Sequence, residues 1–489
     1  MSMQGIFQTY LDRPALMISI TILIISTLVN LGLERAEKKA KRNFIAFIVA
    51  LVGLIIAGIA LIIFPAETLD VATQIYMYDY YAKFFAVFGV FVTVAIVVAV
   101  HYYSEDLPEV PVFYALITGT AIGLILLPSA VDLIGLFIAW ELLSVPLYAM
   151  VAYSHKWSRS VEGAMKYYIM GTASSAFLGL GIGIISAIAG TTNIYALSSA
   201  LAPLVYRPFE QLLLGLAVIS LVVGFGVKIT LVPLHQWAPD TYEGSMPPIT
   251  AYLSGTIKAI RFSAPLKVVM LLVAVLRFDA RLYFAILAVL TMTYANIVAL
   301  KQKRVYRMLA YSSIAQMGYI VIGIVAATKD GIIAAVFYAF AFAIMEVVVF
   351  MVIAIAIKYL GIETLDDYNG LSQKYPLLSI IFTLSLLSLV GIPVTVGFVG
   401  KVYLFLAALS AGILWLALAL AINSAISLGY YGAIIKNMFL YEPSEKIREV
   451  KIPMLYIVIL SILTLVILIG GLWPDLIFRY ASRASEVFF

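Results

Sequence analysis

Residues 211–240 read QLLLGLAVISLVVGFGVKITLVPLHQWAPD. The stretch 211–232 is apolar and long enough to cross a bilayer core, which takes roughly 20 residues of helix. It nevertheless carries a lysine, Lys228, inside Gly224-Phe225-Gly226-Val227-Lys228, and it is followed by Pro233 and the polar run His235-Gln236-Trp237-Ala238-Pro239-Asp240. Proline removes a backbone donor and frees a carbonyl. At membrane depth such a break is tolerated only where the backbone is buried in protein or lines a wet cavity. The stretch therefore predicts an interrupted span with an ionisable side chain at the interruption. The pattern recurs further on, where Gly391-Ile392-Pro393 and Gly397 to Gly400 lead directly into Lys401. Two interrupted spans, each carrying one lysine, fit the inverted-repeat design of transporters.

The rest of the chain supports a membrane reading. Of its 489 residues 64% are hydrophobic and only 12% charged, too few charges to clothe a soluble protein of this length. Apolar runs recur to give an all-α polytopic membrane protein of about fourteen helices, with short loops and no soluble domain. The first run, Ala15 to Leu33, has no basic segment before it and no obvious cleavage site, and reads as a retained helix. The region 375–436 reads as two helices, one of them interrupted at the glycines named above. Loops after odd-numbered spans are the more basic, among them Arg35, Lys38, Lys39, Lys41 and Arg42 after the first and Lys301, Lys303, Arg304 and Arg307 after the ninth. The positive-inside rule puts these in the cytoplasm and both termini on the other face.

Composition also excludes whole classes of chemistry. There is no cysteine, so disulfides, thiolate metal sites and iron–sulfur ligation are ruled out. The three histidines, His101, His155 and His235, are too scattered to share a metal. No nucleotide, flavin or quinone motif is recognisable, and no catalytic residue is assigned.

Seven ionisable residues fall inside spans: Glu141, Lys228, Lys258, Arg261, Lys267, Glu346 and Lys401. A charge at the centre of a membrane helix costs about 2.5–3.5 kcal/mol on insertion scales, so each needs a partner or a polar path. Burial lowers the proton affinity of a lysine and a nearby carboxylate restores it. A lysine can therefore bind and release a proton as its surroundings change, whereas arginine stays protonated. Lys228, Lys258 and Lys401 are the relay candidates, and Arg261 is a fixed charge. His235, whose imidazole titrates near neutrality, is a further candidate.

The chain resembles the N-type antiporter-like membrane subunit of respiratory complex I (NADH-quinone oxidoreductase) and its archaeal relatives. The resemblance runs from about residue 110 to 440. It rests on Ser129 to Ile134 with Trp140-Glu141-Leu142-Leu143-Ser144-Val145-Pro146, on Glu162 to Tyr168, on Pro233 to Gly244, on Leu309 to Tyr319, on Asp367 to Leu371, and on Gly391 to Lys401. It implies three helices in 1–110, a first repeat of five helices (4–8) in 111–276, a second, inverted repeat (9–13) in 277–440, and a last helix in 441–489. It implies interruptions in helices 7 and 12. It further implies that Glu141 faces Lys228, with Lys258 and Lys401 continuing a polar axis through the membrane, so that the chain moves protons in a redox-driven complex. On this reading it is a non-catalytic subunit with no redox centre of its own. Flavin, iron–sulfur clusters and quinone belong to partner subunits, and the other partners are membrane subunits, further antiporter-like ones included, in a bacterial or archaeal plasma membrane. The alternative is an ion-translocating subunit of a multi-subunit sodium/proton antiporter or of a membrane-bound hydrogenase.

Three positions depart from the family pattern. Gln316 stands where histidine is frequent; an amide cannot carry a proton and is expected to order water. Glu346 replaces a neutral residue, and Arg261 and Lys267 are additional cations. Because unpaired burial of either sign is costly, Glu346 is expected to pair with Arg261 or Lys267.

Overall fold

The computed structural model describes residues 14–34, 39–67, 75–153, 160–204, 206–273 and 280–488. His155 and the basic residues at 35–38 and 156–159 lie outside them. The chain opens with seven membrane-length helices: α1 (Pro14–Leu33), α2 (Lys39–Ile63), α3 (Tyr80–His101), α4 (Val110–Ser129), α5 (Leu133–Ala152), α6 (Ser160–Ala189) and α7 (Pro208–Lys228). A short helix α8 (Trp237–Gly244) follows. Then comes α9, which starts as Pro247–Ala251, loosens into a π turn at Tyr252–Ile257 and resumes as Lys258–Val273. Beyond it lie α10 (Ala280–Leu300), α11 (Val305–Ala326), α12 (Lys329–Ile355), the half-length pair α13 (Pro376–Val390) and α14 (Val396–Ser410), α15 (Leu414–Leu440), α16 (Met454–Leu472) and α17 (Asp475–Ser485). Among the described residues twelve helices are long and apolar enough to cross a membrane. Two shorter apolar helices, α13 and α14, accompany them.

The interruption expected in the seventh span falls after Lys228, the last residue of α7, and before Trp237. The second interruption is shorter than expected. It covers Gly391 to Thr395, and Gly397 and Gly400 are helical. Gly391 ends α13 at φ +94°, a left-handed conformation suited to glycine. Gly397 serves packing instead, because a side chain there would collide with the Ser388 carbonyl. The region 375–436, expected to hold two helices with one interrupted, holds three, the last two separated by Ala411 to Ile413.

The chain forms two compact units. One comprises Met1–Phe225, Ile260–Arg277 and Ser482–Phe489; the other comprises Gly226–Ala259 and Phe278–Ala481. In the first, Asp132 caps α5 through the amides of Ile134 and Gly135 (2.8 and 3.1 Å), and Asp79 caps α3 through Ala82 (2.6 Å). In the second, α11 and α12 are almost wholly buried. A helix that is apolar all round belongs in a core, and beyond Lys329 and Asp330 in its first turn α12 is such a helix apart from the carboxylate of Glu346.

Candidate functional site

Within the second unit the buried polar side chains form a chain of contacts. Lys258 resumes the regular part of α9 after the π turn, a feature that re-aims side chains and recurs at functional sites. Its ammonium donates to Ser313 Oγ at 2.8 Å and lies 5.2 Å from the centre of the Tyr242 ring. Gly255, in the π turn, lets the α9 and α12 backbones approach closely: an added Cβ would stand 2.9 Å from the Ala343 carbonyl and 2.7 Å from Val347. Glu346, between those two residues of α12, is fully buried, and neither of its oxygens has a hydrogen-bond partner. Lys258 is the cation whose charge acts on it.

One turn along α11 from Ser313, and so on the same face, stands Gln316. Its amide donates to the Leu389 carbonyl (3.2 Å) and to the Tyr431 hydroxyl (3.3 Å), and it accepts from the Tyr338 hydroxyl. Tyr431 is also bonded to Ser312. The Leu389 carbonyl accepts a second bond, from Lys401 at 2.7 Å. Lys401 donates further to the Val390 carbonyl and to Ser424 Oγ, both at 2.9 Å. Leu389 and Val390 end α13, so their carbonyls lack intrahelical donors and sit at the negative end of the helix dipole. The break at Gly391 is what exposes them to an ammonium. Tyr319 completes the pocket, its ring 4.4 Å from that ammonium and its hydroxyl accepting from Asn296. Thus α11 bonds Lys258 through Ser313, and its Gln316 shares the Leu389 carbonyl with Lys401. Ser313, Tyr431, Tyr338 and Ser424 were not singled out from sequence. A serine three residues before Gln316 on an apolar helix was the signal that could have found the first.

Lys228 is buried, and the segment after it is tied back by Trp237 Nε1, which donates to the Val227 carbonyl at 2.8 Å. His235 is buried against the edge of Tyr294, 5.0 Å between ring centres. In the first unit Glu141 is half-buried on α5 and accepts a hydrogen bond from Ser175 on α6.

The pairing expected between Glu346 and Arg261 or Lys267 is corrected by these partners. Arg261 spends its donors on Tyr167 (3.0 Å) and Ser144 (3.2 Å), with its guanidinium over Trp140. Lys267 donates to the Pro128 and Ala130 carbonyls. The described hydrogen bonds of both cations go to neutral groups of the first unit, and the cation whose charge acts on Glu346 is Lys258.

The polar run 236–244 has a local role. Arg307 bonds Asp240 (2.8 Å) and Glu243 (2.9 Å), and Arg304 bridges Glu243 to Glu363. This ion-pair network holds the end of α8 to the start of α11.

The family model described as NADH:quinone oxidoreductase/Mrp antiporter, transmembrane region, matches residues 130–427. The F(420)H(2) dehydrogenase subunit N of Methanosarcina mazei is 36% identical over 420 residues, covering 84% of this chain and 84% of its own. The NADH-quinone oxidoreductase subunit N of Heliobacterium modesticaldum is 34% identical over 476 residues, covering 96% and 98%. Among solved structures, a chain of respiratory complex I from Thermus thermophilus with bound aureothin superposes with a TM-score of 0.78 at 26% identity, covering 94% of this chain and 98% of that one.

Proposed function

The chain belongs to the NADH:quinone oxidoreductase/Mrp antiporter family of membrane subunits, and from that premise we propose that its buried lysines carry the transported proton. It is a proton-translocating membrane subunit of a complex I-like assembly. The proposed route uses Glu141 in the first unit and Lys228, Lys258, Gln316 and Lys401 in the second, with His235 in the segment that follows Lys228 and Glu346 as the counter-carboxylate of Lys258. The observation that carries this is the Leu389 carbonyl, shared by Gln316 and Lys401. It joins the lysine of the broken pair α13–α14 to the helix that also binds Lys258. The amide of Gln316 orders the path and the lysines do the titrating.

The energy comes from outside the chain. Moving one charge against 100 mV costs about 2.3 kcal/mol, and the residues here supply no redox chemistry. Flavin, iron–sulfur clusters and quinone sit on partner subunits in this reading, beside further antiporter-like membrane subunits, in the plasma membrane of a bacterium or archaeon. The donor follows from the relatives' names: reduced F420 or NADH. The test uses inverted membrane vesicles containing the assembled complex, supplied with each donor in turn. Lys228→Ala and Glu141→Ala should keep donor oxidation and lose acidification of the lumen. Unchanged acidification per electron in both variants would sink the proposal. Acidification that depends on sodium in the wild type would instead favour the exchange activity of the antiporter side of the family.

A further inference from the structure

The first unit contains a buried lysine that the route above does not use. Three connections close one end of this unit through backbone hydrogen bonds. Met77 bonds Ser129 (2.7 Å) and Val131 bonds Ile75 (3.0 Å), joining the α2–α3 connection to the α4–α5 connection. Ile194 bonds Val131 (2.9 Å) and Leu133 bonds Thr192 (2.8 Å), joining the α6–α7 connection to the same strip. By the distribution of basic loops all three lie on the face away from the cytoplasm.

Lys267 on α9 lies beneath this closure. It donates to the Pro128 carbonyl at 2.8 Å and the Ala130 carbonyl at 3.1 Å. Its ammonium is 5.0 Å from the centre of the Tyr81 ring and 5.9 Å from that of Tyr195. Asp79 is buried and acts on the same ammonium. One Asp79 oxygen caps α3, and the other has no hydrogen-bond partner. The Tyr195 hydroxyl is likewise buried without a partner, although the residue as a whole is half-exposed. Tyr81 spends its own hydroxyl on the Ser263 carbonyl and packs edge-on against Phe488. A purely structural ion pair is stable only when its remaining polar atoms are satisfied. Here two orphan oxygens, one acidic and one on a residue that reaches the surface, flank a buried lysine. Polar groups in that state are where bridging water binds.

We propose that Lys267, with Asp79 and Tyr195, is a further proton-transfer station at the mouth of the first unit on the non-cytoplasmic face. The ammonium gives its proton to the Asp79 carboxylate, directly or through water, and the carboxyl releases it past Tyr195. Lys267, left neutral, is reprotonated from within the unit. The station rests on the proton-translocation reading, and the controls separate the two.

The test again uses inverted vesicles holding the assembled complex and driven by whichever of NADH or reduced F420 the wild type oxidises. Lys267→Arg keeps a cation on the helix-end carbonyls but cannot release its proton. It should assemble, oxidise the donor and lose lumen acidification. Asp79→Asn should lower acidification per electron and flatten its dependence on lumen pH. Normal pumping by Lys267→Arg overturns the proposal, because the lysine is then only a clamp. Should that variant fail to assemble, Asp79→Asn decides, and an unchanged ratio and pH profile overturns the station. Lys401→Ala runs alongside. If it also pumps normally the proton-translocation reading itself fails; if it is inactive while Lys267→Arg is normal, only the station falls.

Discussion

Lys267 in the first unit and Lys401 in the second are held by the same device and differ in what lies beyond it. Each ammonium takes two backbone carbonyls at the end of a helix, Pro128 and Ala130 for one, Leu389 and Val390 for the other, and each lies over a tyrosine, Tyr81 at 5.0 Å and Tyr319 at 4.4 Å. Helix-end carbonyls carry the negative end of the dipole, so a cation can be buried there without a carboxylate in contact. Beyond the clamp, Lys401 shares its Leu389 carbonyl with Gln316 and so joins an internal path. Lys267 faces an acid and a half-exposed tyrosine. The clamp makes burial possible; the neighbour decides where a proton can go.

The largest expected effect tests the internal neighbour. Lys401→Met should abolish lumen acidification while donor oxidation persists, since no other titratable group reaches the Leu389 carbonyl among the described contacts. A partial effect is expected at the shared link. Gln316→Leu leaves Tyr338, Tyr431 and the Leu389 carbonyl short of a partner, at a cost of about 1–3 kcal/mol. It should lower the thermal midpoint of the purified complex and reduce pumping without ending it, and Gln316→His should restore both. If Gln316→Leu pumps like the wild type, Lys401 works without that link and the contrast with Lys267 loses its basis.

The smallest effect lies outside the membrane, between Asp367 and Lys446, which bond at 2.8 Å. Burial alone would raise the Asp367 carboxyl, but the Lys446 ammonium and the Thr364 and Glu363 groups outweigh it and hold it at about 2, below its usual 3.8. The unfolded state therefore binds more protons between those values. The contribution to stability is complete above the unfolded pKa and fades as pH falls from 3.8 toward about 2. In Asp367→Asn the purified complex should be less stable than the wild type above about pH 4, where the carboxylate's contribution is complete, and the difference should close as pH falls toward about 2. An identical acid limb in both would show that the pair is not coupled to folding.

Hydropathy and helix-breaking residues revealed most of the architecture. Long apolar runs need no tertiary information to be read, and Gly391-Ile392-Pro393 marks a break wherever it occurs. The buried charges were equally legible, because seven ionisable side chains stand out against apolar helices. Their partners did not. Lys401 and Lys267 are satisfied by backbone carbonyls, which no residue type announces, and Lys258 by a serine. The Glu346 pairing was drawn from the cost of unpaired burial alone, which does not say which cation stands nearest; the charge acting on Glu346 is that of Lys258. Gly397 and Gly400 were read as part of a break because a glycine needed for close packing looks the same in sequence as one needed for a turn.

Lys258→Arg tests most directly whether deprotonation of a buried lysine is the transport step. Arginine can keep the charge beside Ser313 and Glu346 but cannot give up its proton. Proton uptake into the lumen per electron transferred, measured on vesicles with the complex assembled and oxidising its donor, should fall to background. A wild-type ratio in that variant would mean that the lysines are fixed charges and that protons cross by another route.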